Sequence, residues 1–84
     1  MVDNNMRVAQ IGIIVEDMES VEKLNGLLHE YGQHIIGRMG IPYQEKDISI
    51  ISVVLNAKQD IISTLAGKLG MLNGVSVKTI YSKK

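Results

Sequence analysis

Hydrophobic residues follow two alternating periods along this chain, and the same succession of periods occurs twice. Between Met6 and Val15 the odd positions Ala9, Ile11, Ile13 and Val15 are uniformly apolar, whereas the even positions Val8, Gln10, Gly12 and Ile14 mix apolar with polar or small residues. A period of two marks a strand. The pattern then turns helical, with Val21, Leu24, Leu28 and Tyr31 on one stripe. A second extended run covers His34 to Tyr43. Pro42 lies within it, and a residue that cannot donate to a ladder assigns this strand to a sheet edge. The order then repeats: a strand from Ile48 to Leu55, a helical stripe of Ile62, Leu65, Leu69 and Leu72, and a last strand from Val75 to Tyr81. Ile11-Gly12-Ile13-Ile14-Val15 is echoed by Ile51-Ser52-Val53-Val54-Leu55, and mid-helix glycines recur at Gly26 and Gly67.

Punctuation between these runs is equally regular. Asp17 is placed to cap the first helix, with Glu19 and Glu22 favourable to its dipole, and Gly32 supplies a left-handed cap at its end. Glu45-Lys46-Asp47 forms a solvated turn. Asn56 and Gln59 have capping-box spacing for the second helix, which Gly70 ends, and Asn73-Gly74 turns into the last strand. Right-handed crossovers bring both helices to one face of a shared sheet. The expected fold is therefore α+β: a ferredoxin-like βαββαβ sandwich with a four-stranded antiparallel sheet, strands one and three central, and two helices on one face. Residues 1–84 read as a single domain, with 1–5 and 82–84 as flexible tails.

The all-apolar odd faces of the central strands are expected to meet the helices. That leaves Val8, Gln10, Gly12, Ile14, Ile48, Ile50, Ser52 and Val54 on the opposite face. A half-solvated antiparallel sheet ordinarily alternates cleanly, and an apolar patch of this size is unusual on a monomer. These eight residues are read as an oligomer interface, with Gly12 and Ser52 removing bulk so that two sheets approach closely. Gly26 and Gly67, each about 1 kcal/mol less favourable than alanine in a helix, are read as sites of close helix packing.

Composition narrows the chemistry. Nine basic and nine acidic residues cancel in a chain of 84, which removes the field that attracts nucleic acids non-specifically. The chain has no cysteine, so disulfides and thiolate metal sites are excluded. Its polar start, Met-Val-Asp-Asn-Asn, is unlike a signal peptide, and no apolar run approaches the ~20 residues of a membrane helix. A cytoplasmic protein without membrane contact is expected. His29 and His34 lack a neighbouring acidic or thiol cluster and are read as surface residues, so no metal is expected. No serine sits in a nucleophile motif, and Gly67-Lys68-Leu69-Gly70 lies at a helix end rather than in a phosphate loop. Glu16-Asp17 is read as capping, and Arg38 and Lys78 as strand charges that protect sheet edges. RNA-recognition modules of this topology stack bases on aromatics of the central strands. Those strands here carry aliphatics, glycine and serine, so RNA binding is excluded.

The stretch Leu65-Ala66-Gly67-Lys68-Leu69-Gly70-Met71-Leu72-Asn73-Gly74-Val75-Ser76-Val77-Lys78-Thr79 closely resembles the C-terminal part of a small bacterial family of regulators of the iron-only hydrogenase system. Ile14-Val15-Glu16-Asp17, Leu27-Leu28-His29 and Arg38-Met39-Gly40-Ile41-Pro42 resemble the same family. The resemblance implies an ACT-like ferredoxin fold, similar to the C-terminal ligand-sensing domain of the nickel-responsive repressor, and assembly into dimers or tetramers. Two departures limit it. About five residues precede the first strand, too few for the repressor's ribbon-helix-helix, so direct DNA binding is not expected. The region from Gly40 to Ile48 has neither histidine nor cysteine, so the repressor's nickel site does not carry over. The function expected is a small oligomeric regulatory or sensor domain that acts by small-ligand binding at a subunit interface or by docking onto a protein. Neither ligand nor cofactor is specified by the residues. The alternative on this topology is an acylphosphatase-like hydrolase, which needs a phosphate-cradling loop after strand one and a positioned arginine. Glu16-Asp17-Met18-Glu19 puts negative charge at that place, so no enzyme and no catalytic residue is expected.

Overall fold

Alternation in the first strand translates directly into burial. The computed structural model describes residues 5–84, so the expected tail at 1–5 lies almost entirely outside the described residues. β1 (Met6–Val15) buries Ala9, Ile11, Ile13 and Val15, and its even positions are exposed from Val8 onward. β3 (Ile48–Lys58) likewise buries Ile51, Val53, Leu55 and Ala57. The two pair antiparallel, Met6 opposite Lys58 through Val15 opposite Ser49. β2 (Ile35–Tyr43) flanks β3 and β4 (Val75–Tyr81) flanks β1, which gives the order β2-β3-β1-β4. Strands one and three are central, and Pro42 stands on an edge strand.

α1 (Val21–Glu30) contributes Leu24 and Leu28 to the core, and α2 (Gln59–Gly70) contributes Ile62, Leu65 and Leu69. Both helices therefore cover the same face of the sheet. Val21, Tyr31 and Leu72, the other members of the two stripes, pack at the rim of this core. Each fully buried isoleucine or leucine contributes about 1.5–3 kcal/mol from removal of apolar surface from water. No buried side-chain polar atom among the described residues lacks a hydrogen-bond partner. This is the expected α+β, ferredoxin-like sandwich.

Several local expectations are corrected. Asp17 caps a 3₁₀ turn, Met18–Ser20, that leads into α1; its Oδ1 accepts from the Glu19 amide at 3.0 Å. Gly32 has no left-handed conformation and opens a second 3₁₀ turn, Gly32–His34. Asn56 is not a cap. It continues β3 opposite Val8, and α2 starts after Lys58 without a side-chain cap, while Asp60 Oδ1 accepts from the Ile61 amide at 2.9 Å. The added strand length is explained by Ala57, which is fully buried opposite Arg7. Gly26 and Gly67 are exposed, and a Cβ at either would meet nothing within 4 Å, so neither serves close helix packing within the chain.

One glycine is demanded by the fold. Gly74 has φ +68°, and a Cβ there would lie 2.6 Å from Asp17 Cβ and 2.8 Å from its backbone nitrogen. Its carbonyl accepts from the Glu16 amide at 2.6 Å, and the buried Ser20 hydroxyl donates to the Asn73 carbonyl at 2.7 Å. These bonds join the end of β1 to the start of β4. At the other end the Ser82 amide donates to the Val8 carbonyl at 2.9 Å, and the Arg7 guanidinium lies 4.6 Å from the Tyr81 ring centre.

Candidate functional site

The helices leave the second face of the sheet bare, and register fixes what stands on it. Paired residues of antiparallel strands share a face, so three rows cross the sheet. The middle row is Met39, Ser52, Gly12 and Lys78; on one side of it lie Ile41, Ile50, Ile14 and Ser76, and on the other Gly37, Val54, Gln10 and Ile80. All eight residues expected there from the sequence do occupy this face: Gln10, Gly12, Ser52 and Val54 near its centre, Val8, Ile14 and Ile50 around them, and Ile48 at one end. Val8, Ile14, Met39, Ile41, Ile50 and Ile80 are between 41% (Ile50) and 66% (Ile80) exposed, while Ile48 and Val54 are half-buried.

The centre is hollow. Gly12 and Ser52 face each other across β1 and β3, and a shallow concavity of about 430 Å³ lies over them, walled by Ile14, Ile50, Gln10 and Lys78. Gln10 Nε2 donates to Ser52 Oγ at 2.9 Å, which fixes both side chains at its edge. Among the described residues nothing demands glycine at position 12. Its φ is not positive, and a Cβ there would meet only the Lys78 carbonyl at an ordinary 3.9 Å.

Met39, Ile41 and Ile80 were not among the residues read from the sequence. Simple alternation from Ile35 assigns Met39 and Ile41 to the helix side. A β-bulge at Ile36 inverts that parity, so that Ile35 pairs with Leu55 while Gly37 pairs with Val54. For Ile80 the signal was present, since it shares parity with Ser76 and Lys78. The bulge also turns Arg38 to the helix side, where its Nη2 donates to Asn25 Oδ1 of α1 at 2.6 Å. Of the two strand cations considered, only Lys78 stands on the bare face.

The other sequence candidates do not converge. His29 is exposed on α1, and His34 is half-buried beside Gln33. No three His, Asp or Glu side chains among the described residues are grouped as a metal site would require. At the β1–α1 junction a cleft of about 200 Å³ is lined by Asp17, Glu19, Ser20 and Lys23 with Met71 to Asn73, and no arginine reaches it. Lys68 approaches the Tyr31 ring at 5.4 Å and Glu30 at 3.9 Å, and its ammonium titrates above the ordinary value, through Tyr31 first. Among the described residues, no helix is long and apolar enough to cross a membrane.

A family profile described as "TM1266-like: Iron-only hydrogenase system regulator, putative" matches residues 7–79. The chain belongs to this family. Its fold is correspondingly similar to that of the uncharacterized protein TM1266 from Thermotoga maritima, with 37% identity, a TM-score of 0.89, and coverage of 93% of this chain and 99% of that one. Two more distant structures share the fold alone. The C-terminal domain of the MgtC protein from Mycobacterium tuberculosis is 13% identical with a TM-score of 0.73, covering 99% of this chain and 95% of that one. A formyltetrahydrofolate deformylase from Pseudomonas putida KT2440 is 11% identical with a TM-score of 0.63, and the match covers 87% of this chain and 28% of the enzyme. A comparison with curated proteins finds no match. The family description and the ferredoxin-like, ACT-like fold agree with what the sequence resemblance implied.

Proposed function

We propose that this member of the regulator family is a non-catalytic, cytoplasmic ACT-like unit spanning residues 1–84, and that it works as a homo-oligomer joined through the bare sheet face. Regulation then follows from assembly. A small ligand held between copies, or a protein docked on the assembled surface, shifts the state of the oligomer by as much as its affinity differs between the two states.

The observation that carries this reading is the size and character of the bare face. From their fractional exposures, Val8, Ile14, Met39, Ile41, Tyr43, Ile50 and Ile80 together offer roughly 650 Å² of exposed residue surface, against the ~800 Å² that each partner contributes to a standard interface. Gln10, Ile48, Val54, Ser76 and Lys78 supply the remainder. The small residues Gly12 and Ser52 let two sheets approach closely while leaving a hollow between them.

Sedimentation equilibrium across the micromolar range tests the reading. A dimer or tetramer that dissociates when Ile14 and Ile50 are replaced by aspartate supports it. A single-chain mass for the wild-type protein throughout that range overturns it.

A further inference from the structure

The bare face contains a charge that its own assembly leaves unpaired. Lys78 lies in the middle row beside Gly12, and its side chain has no hydrogen bond or ion pair among the described residues. None of the four strands contains a single aspartate or glutamate. The other cations of the strands stand elsewhere. Arg7 reaches Gln59 and Ser82, Arg38 binds Asn25, and Lys58 lies at the far end of the sheet opposite Met6. If the face packs against a copy of itself, the interface is isologous, so the second copy brings another Lys78 and again no acid on its strands. Burying an ammonium without a partner is strongly unfavourable. A bound molecule would supply the counter-charge that the strands lack.

We propose that the concavity over Gly12 is a binding site for a small aliphatic carboxylate, with Lys78 as its counter-ion. This rests on the assembly reading above and names the ligand class of that same face. The surroundings select the chemistry. Ile14 and Ile50 offer an aliphatic wall, whereas the polar groups at hand are only the Ser52 and Ser76 hydroxyls and the Gln10 amide, which already donates to Ser52. Such a site satisfies a monoanion with an apolar body. A phosphate dianion would need more donors than it holds. It has no acid to receive an ammonium, so an α-amino acid places its own cation beside Lys78 and binds poorly. The volume of about 430 Å³ lies within the range of small-molecule sites, and closure of a second sheet would remove it from water.

Three probes that share one skeleton separate these requirements: 4-methylpentanoate, leucine and 4-methylpentan-1-ol. Each is titrated into the full chain at constant ionic strength, with self-association followed by sedimentation and the amide signals of Gly12, Ser76 and Lys78 by NMR. The carboxylate is expected to strengthen self-association about tenfold or more and to move those three signals, and leucine and the alcohol to do neither. Lys78→Met is expected to abolish the carboxylate response while tightening ligand-free association, because it removes the unpaired charge. A wild-type oligomer indifferent to the carboxylate, or a Lys78→Met variant that responds as the wild type does, overturns the site and leaves the assembly reading in place. A chain that stays monomeric with and without every probe overturns both.

Discussion

Replacing Gly12 by valine separates what the isolated chain requires from what its assembly requires. Within one chain the substitution is benign or favourable. The first added carbon meets only the Lys78 carbonyl at 3.9 Å, the backbone there is not left-handed, and a glycine inside a strand is about 0.5–1 kcal/mol worse than a residue with a side chain. In the proposed interface between copies the sign reverses. Gly12 lies at the centre of the hollow, and an isologous interface receives the extra bulk twice. Overpacking a fitted contact is unfavourable by about 1–3 kcal/mol per site, so the dimer is expected to lose about 2–6 kcal/mol, or roughly 30-fold to 10⁴-fold in dissociation constant. Two measurements are needed. Urea denaturation at a concentration where the chain is monomeric should give a midpoint equal to or above wild type, and sedimentation at higher concentration should give weakened association. A variant that associates as tightly as wild type refutes the placement of Gly12 in the interface. A variant that is also unstable as a monomer refutes the claim that the fold leaves room there.

Gly74→Ala should behave in the opposite way, destabilising the single chain by about 2–5 kcal/mol, since it combines a left-handed backbone with a Cβ 2.6 Å from Asp17 Cβ; a denaturation midpoint within error of wild type would contradict this. Gly26→Ala and Gly67→Ala should each stabilise the fold by about 1 kcal/mol, seen as a rise of about 4–8 °C in Tm, because both positions are exposed and a Cβ there meets nothing. A fall in Tm would mean that these glycines serve a contact between copies. The Tyr43 hydroxyl donates to Glu45 Oε2 at 2.7 Å, and chiefly for that reason it ionises above its ordinary 10.0. The neutral phenol is favoured in the folded chain, so its contribution is fully present below that ordinary value and disappears as pH rises through the higher folded one. Absorbance titration should show this late ionisation in the wild type and a return toward 10.0 in Glu45→Gln; an unchanged titration would refute the role of Glu45.

Much of the fold was legible because the decisive signals were periodic and sharply ended. β1 and β4 begin and end at the residues expected, since Asp17 on one side and Asn73-Gly74 on the other break the alternation with local hydrogen bonds and a positive φ. β3 was read too short because Asn56 has the composition of a cap. Its place opposite Val8, and the burial of Ala57 beyond it, are long-range facts that overrode the local preference. Half of the bare face was legible for the same reason as the core, namely strict parity along the central strands. The β2 part was not, because a bulge has no reliable signature in one sequence and a single extra residue reverses every side chain after it.

The repeat explains why the hollow and the lone lysine occur together. Ile11 matches Ile51 in the duplication, an offset of 40 residues. In the β1–β3 ladder, however, Ile11 pairs with Val53, the counterpart of Ile13. Only Gly12 is opposite its own counterpart, Ser52, so the internal pseudo-two-fold axis pierces the sheet between them, and both small residues fall at one point. The same offset relates Arg38 to Lys78, and an unbroken symmetry would set Arg38 beside Ser52 just as Lys78 stands beside Gly12. The bulge at Ile36 prevents this by one residue. It puts Met39 beside Ser52 and turns Arg38 toward Asn25. A face with two cations at its centre thereby becomes an apolar face with one, and the site for a single negative charge is a consequence of where the duplication is broken.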